Sequence, residues 1–172
     1  MHKIWAQMEA LVDKGLVKSI GVSNFNVQAM WDLLTYCRIK PVVNEVELHP
    51  YNVQESLVKF LKQHQIVPVG YCPIARGINS SKKIVSHSNI FEHPTIAGLI
   101  SKYEKTGAQI LLNWGVQRGH IVIPKSSLLE RQKENIEALS FKLTAEEVES
   151  VSQLDVGARI CDANWLNLSI FA

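Results

Sequence analysis

The stretch Val42-Val43-Asn44-Glu45-Val46-Glu47-Leu48 reads as a β-strand, entered after Pro41 and left at His49-Pro50-Tyr51. Helical periodicity lies on both sides of it. Upstream, Asn26 is placed to cap a helix over 27–37 whose apolar stripe is Val27, Met30, Trp31 and Leu34. Downstream, a helix over 54–64 carries Leu57, Phe60, Leu61 and His64 on one side. Ile66 to Tyr71 is a further apolar run, with Pro68 near its start, where a missing N–H costs least. A strand, a helix and a second strand in such short succession predict a right-handed βαβ unit and therefore parallel pairing.

The same rhythm extends in both directions. The chain opens in a helix with Ile4, Trp5, Met8, Leu11 and Val12 on one face and Gly15 as its stop, followed by a short apolar stretch, Val17 to Val22, that ends in Ser23-Asn24. Residues 73–93 have no periodicity and are rich in Ser, Asn, Lys and Gly; a loop of about 20 residues inside a compact domain is usually functional or mobile. Helices return at 95–104 and 108–117, His120 to Ile123 reads as a fourth strand, and Leu129 to Leu139 as a charged helix. Thr144 and Glu147 form a capping box for a last helix through Val148, Val151 and Leu154, and the tail from 156 to 172 has no clear pattern. The order specifies an α/β fold with about four parallel strands and flanking helices. An open doubly wound sheet and part of a (βα)8 barrel both fit it, and periodicity does not choose between them.

Composition narrows the function. A chain that is 47% hydrophobic and 20% charged folds rather than staying disordered. Lys and Arg exceed Asp and Glu by only two, and the charges are scattered, which gives no footprint for nucleic acid and no polybasic membrane patch. Cys37, Cys72 and Cys161 are too few and too far apart for a disulfide framework or a zinc site, and suit a reducing compartment. No apolar run approaches the length of a membrane span, and Glu9 and Asp13 interrupt the N-terminal pattern that a secretory signal would need. The expectation is a soluble, cytoplasmic chain.

Several catalytic motifs are absent. There is no G-x-G-x-x-G, no P-loop, no G-x-S-x-G elbow and no H-E-x-x-H helix, and His87 and His93 are unsuitably spaced for a metal. What remains is Pro124-Lys125-Ser126-Ser127 after the last strand, leading into a helix that carries Arg131, Glu134 and Asn135. A lysine, hydroxyls and a helix N-terminus make a phosphate cradle, or equally a surface lysine with ordinary capping serines. Glu45 and Glu47 share one face of their strand and suit either acid–base work or a polar layer or ion pair; Tyr71 suits either ring stacking or core packing. His49 reads as a hydrogen-bonded loop residue.

Taken together these segments resemble the aldo-keto reductase superfamily. Gly15-Leu16-Val17 through Gly21-Val22-Ser23-Asn24-Phe25, Asn44-Glu45-Val46-Glu47-Leu48-His49-Pro50-Tyr51, Tyr71-Cys72-Pro73, and Ile123-Pro124-Lys125-Ser126 with Arg131, Glu134 and Asn135 each look like a segment of that family, in the family's order, from about residue 3 to 155. The resemblance implies a (βα)8 barrel that binds NADP(H) and passes hydride to an aldehyde or ketone. It implies that Ser23 and Asn24, helped by the residue at position 45, hold the nicotinamide carboxamide, while Tyr71 stacks on the ring. Cys72 and Ile74 would lie along the pyrophosphate, Lys125 and Arg131 on the 2′-phosphate with Ser126 and Ser127 nearby, and Glu134 and Asn135 at the adenine. Three positions depart from the family's usual pattern: Glu45 replaces Gln, Cys72 replaces Ser, and Leu128 replaces a Ser or Thr.

By the same resemblance, residues 1–155 correspond to the C-terminal half of the (βα)8 barrel, and 156–172 to its C-terminal tail. The family's Asp, Tyr, Lys and His tetrad belongs to the other half, so the expectation is no catalytic residue in this chain and no activity from it alone. A half-barrel exposes sheet edges, which a missing half or self-association would cover. Expected partners are a small carbonyl substrate and no nucleic acid or membrane. The alternatives are a non-catalytic NADP(H)-binding or regulatory module and a sheet domain with only an interaction role. The 73–93 loop and the tail, including Trp165, are the expected lid and substrate contacts.

Overall fold

Asn26 caps its helix as the sequence predicts, accepting the Ala29 amide at 2.9 Å. The computed structural model describes residues 1–75 and 89–161, and within them the expected alternation is present. The order is α1 (His2–Asp13), β1 (Val22–Ser23), α2 (Val27–Tyr36), β2 (Val43–Glu47), α3 (Glu55–Gln63) and β3 (Val67–Tyr71). After these come a single 3-10 turn (Ile90–Glu92), α4 (Pro94–Tyr103), α5 (Gly107–Gln117), β4 (Ile121–Val122), α6 (Leu129–Glu137) and α7 (Ala145–Ser152). The strands form a parallel sheet in the order β1-β2-β3-β4, with Val22 opposite Asn44 and Ser23 opposite Glu45. Helices separate the strands in sequence, which makes this an α/β fold.

The contacts divide the chain into two units, Met1–Val46 with Gln54–Val69, and Glu47–Val53 with the chain from Gly70 onward. The first has a small core of Trp5, Ile20 and Leu33, with Met8, Val12, Val22 and Phe25 packed against it. Trp5 donates its indole N–H to the Ile39 carbonyl at 3.1 Å, and the Glu9 carboxylate accepts the amides of Arg38 and Ile39 at 2.7 and 2.8 Å. Gly15, at φ +68°, ends the entry to α1's exit turn as expected. One expected core residue is displaced: α2 buries Met30 and Leu33 completely, whereas Trp31 is 58% exposed. Its ring instead lies edge-on to Phe60 and His64 at 6.2 and 6.0 Å, bridging the outer faces of α2 and α3.

The second unit holds the larger core, built from Tyr51, Val53, Ile96, Leu99, Ile110, Leu111, Trp114, Leu143, Val151 and Ile160. Helix α5 is buried through the run Gln109–Gly115, so its polar groups need partners. Asn113 donates to the carbonyls of Ala138 and Phe141, both at 2.8 Å, and Trp114 donates to Val148 O and Ser152 Oγ. The Thr144–Glu147 capping box forms at α7 as predicted. The loop residues 76–88, with His87, and the tail residues 162–172, with Trp165, lie outside the described residues.

Candidate functional site

Every expected cofactor residue stands at, or just beyond, the C-terminal part of a strand or on the helix that follows. In parallel βα folds this is where loops carry chemistry. In the first unit Ser23, Asn24 and Glu45 come together. Ser23 Oγ and the Asn24 amide both donate to the Glu45 carbonyl at 2.9 Å. Asn24 itself sits at φ +59°, a left-handed conformation that Asn tolerates better than most residues. The Glu45 side chain is half-buried and its carboxylate has no hydrogen-bond partner among the described residues.

Asn44 holds this turn in place. It is fully buried, donates its amide to the Phe25 carbonyl at 2.8 Å and accepts the Phe25 amide at 3.4 Å. A fully buried carboxamide with both ends engaged is costly to replace, because each partner would be left unsatisfied. The signal was an amide in an otherwise apolar strand position, and sequence reasoning assigned it no role.

In the second unit Tyr71 ends β3 and Cys72 follows in a left-handed turn at φ +50°, closed by the Ala75 amide donating to the Cys72 carbonyl at 2.9 Å. Burial, with a further contribution from the Glu47 charge, pushes the Tyr71 phenol up to about 12. It is therefore a neutral ring at any physiological pH, suited to stacking. Ile74 packs against the large core.

Lys125, Ser126 and Ser127 connect β4 to α6. Ser126 Oγ accepts the Leu128 amide at 3.1 Å, and its carbonyl accepts Gln132 Nε2 at 2.9 Å, so this serine shapes the turn before the helix. Leu128 occupies the N-cap of α6 and supplies no side-chain hydrogen bond to it. Lys125 and Arg131 are both exposed, and neither has a carboxylate partner among the described residues. Glu134 is fixed through its carbonyl, which accepts Gln109 Nε2 at 3.1 Å. Asn135 lines an apolar cavity of about 580 Å³ with Leu112, Val116, Ile136 and Leu139.

Glu47, read from sequence only as one of two strand carboxylates, has a different task from Glu45. It is fully buried, its Oε1 lies 2.8 Å from His49 Nε2, and its two oxygens accept the amides of Ile160 and Cys161 at 2.6 and 3.1 Å. Burial pushes its carboxyl up, but the hydrogen bonds from His49 and the two amides outweigh that and hold it below the usual value. The carboxylate anchors the segment that follows α7. Val156 and Ala158 extend the anchorage, both donating to the Tyr51 carbonyl.

A sequence profile of the aldo/keto reductase family matches residues 1–156. The chain belongs to the aldo/keto reductase family. Among curated relatives, an NAD(P)H-dependent pentose reductase of Pyricularia oryzae is 40% identical over 97% of this chain and 53% of its own length. Aldose reductase B of Dictyostelium discoideum is 39% identical over 99% of this chain and 52% of its own. The crystal structure of a Bombyx mori aldo-keto reductase in complex with NADP superposes with a TM-score of 0.88 at 34% identity, covering 95% of this chain and 53% of that one. The chain thus spans about half the length of the aldo-keto reductases it matches, and its four-stranded sheet with flanking helices is similar to the corresponding part of their barrel.

Within the second unit, the chemistry of the β4–α6 connection fits a phosphate group such as NADP(H) carries. The α6 N-terminus lacks a side-chain cap, so its first amides are open to an anion, and two cations without carboxylate partners flank it. Glu130, in the first turn of α6, carries the wrong sign for an anion. In the first unit, the Ser23-Asn24 turn presents short polar side chains from a backbone held by the Asn44 carboxamide.

Proposed function

We propose that this chain is the NADP(H)-holding part of a reductase that converts aldehydes or ketones to alcohols. The single observation that carries the reading is the β4–α6 connection: an uncapped helix start flanked by Lys125 and Arg131, in a family member whose relatives include NAD(P)H-dependent reductases. Lys125 and Arg131 would hold the 2′-phosphate, with Ser126 and Ser127 beside it, and Glu134 and Asn135 would meet the adenine. Cys72 and Ile74 would line the pyrophosphate. Ser23 and Asn24 would hold the carboxamide, with Glu45 next to them, and the neutral Tyr71 ring would stack on the nicotinamide. When bound, the nicotinamide supplies hydride to a carbonyl carbon.

The chain's own contribution is orientation. Asn44 fixes the Ser23–Phe25 turn, and the left-handed bend at Cys72 turns the chain immediately after Tyr71. None of the residues assigned here is given the role of proton donor to the substrate.

The test is a titration of the full chain with NADPH and with NADH, followed by tryptophan fluorescence. NADPH should bind more tightly, and Lys125→Ala with Arg131→Ala should each weaken NADPH by about tenfold or more while leaving NADH unchanged, in keeping with a charge-assisted contact to phosphate. Equal affinity for the two dinucleotides, or loss of both on substitution, would overturn the assignment.

A further inference from the structure

Cys72 and Cys161 are 89 positions apart in sequence, yet their sulfurs lie 3.0 Å from each other. Both side chains are partly buried rather than sealed. Each is positioned by its own backbone. Cys72 is held in its left-handed turn by the Ala75 amide, and Cys161 is held by its amide on the Glu47 carboxylate, next to the buried Ile160. The geometry points to a redox modification site: we propose that Cys72 and Cys161 form a reversible disulfide that fastens the segment after α7 to the end of β3.

The sulfurs need to approach by only about 1 Å to reach the bonded distance of roughly 2.05 Å. The oxidant is a peroxide. One thiolate attacks it and takes one oxygen, leaving a sulfenic acid and releasing water; the second thiolate then displaces that oxygen as a second water and the S–S bond forms. Two thiols lose two electrons and two protons, and one peroxide is reduced to two waters. A dithiol reductant reverses the reaction by exchange. Sequence spacing alone hides this pair, because the cysteines lie 89 positions apart and come together through contacts that hold the segment after α7.

The experiment is to treat the full chain with a small excess of hydrogen peroxide, denature it, count its thiols and map its peptides without reduction. The expected result is a fall from three titratable thiols to one, a loss of two hydrogens in mass, and a linked peptide pair containing Cys72 and Cys161. Dithiothreitol should restore all three thiols. Cys161→Ser should abolish the link, whereas Cys37→Ser should retain it, which keeps the test decisive if the first variant folds poorly. Sulfinic acid on Cys72 or Cys161 without a linked peptide, or a link that uses Cys37, would overturn the proposal. None of these readouts depends on dinucleotide binding, so failure here and failure of the cofactor assignment are separable.

Discussion

The Glu47 carboxylate accepts the Ile160 amide at 2.6 Å, joining residues 113 positions apart. With its second oxygen on the Cys161 amide and His49 at its side, one buried acid organises the end of the described chain. Glu47→Ala should therefore cost about 3–5 kcal/mol, because His49 and two amides lose a charged partner inside the protein. Glu47→Gln keeps an acceptor and should cost less. Urea unfolding of the two variants checks the order; equal and small losses would mean the anchorage contributes little.

The pH dependence of the same contact has a definite sign. The Glu47 carboxyl is held below its ordinary value, so its stabilisation is fully present above the usual carboxylate range and disappears as pH falls through the lowered value. Acid unfolding should show a loss of stability below the usual carboxylate range that is absent from Glu47→Gln.

Glu147 gives a second, independent acid response. Burial pushes its carboxyl up, but hydrogen bonds from Lys102, Tyr103 and the Thr144 amide lower it to about 2. Its contribution should be complete above its ordinary pKa of 4.5 and lost progressively as pH falls towards about 2. Glu147→Gln, which keeps a capping-box acceptor but removes the charge facing Lys102 and Tyr103, should lower stability by about 1 kcal/mol near neutral pH, measured by thermal or urea unfolding.

Glu45→Gln probes the side chain alone, because the backbone carbonyl that accepts Ser23 Oγ and the Asn24 amide is untouched. Replacing an acceptor-only group with an amide should tighten NADPH by several-fold, about 1 kcal/mol. Unchanged affinity by calorimetry would show that the acid at this position is harmless.

Asn44→Ala should unfix the Ser23–Phe25 turn and cost about 2–3 kcal/mol, since the Phe25 amide and carbonyl both lose their partner in a buried place. NADPH affinity should fall as well, although Asn44 itself is assigned no contact with the dinucleotide.

What sequence could read here follows what is local. The Asn26 cap, the Thr144–Glu147 box and the alternation of strands with helices depend on residues a few positions apart, and all are present. The Trp31 stripe failed because helical period does not say which side of a wide apolar arc faces inward. Leu33 is the buried residue, and Trp31 lies across α2 and α3. The roles of Asn44, Glu47 and the Cys72–Cys161 pair are not legible in the sequence for a different reason. Apart from His49, two positions from Glu47, their partners are 19 to 114 positions away, and no spacing rule connects a strand carboxylate to amides beyond the last helix. The expected binding residues rest on the family resemblance, since Lys125 or Ser23 taken singly looks like any surface residue.

Asn24 and Cys72 both bend the chain left-handed, at φ +59° and +50°. An alanine scan would therefore misattribute their importance: Asn24→Ala removes an amide and also forces an unsuited backbone, which costs about 1–2 kcal/mol by itself. Glycine is the correct reference at these two positions, because it removes the side chain while leaving the bend relaxed. Any affinity that survives Asn24→Gly but not Asn24→Ala belongs to the shape of the turn, and only the remainder measures what the carboxamide recognises.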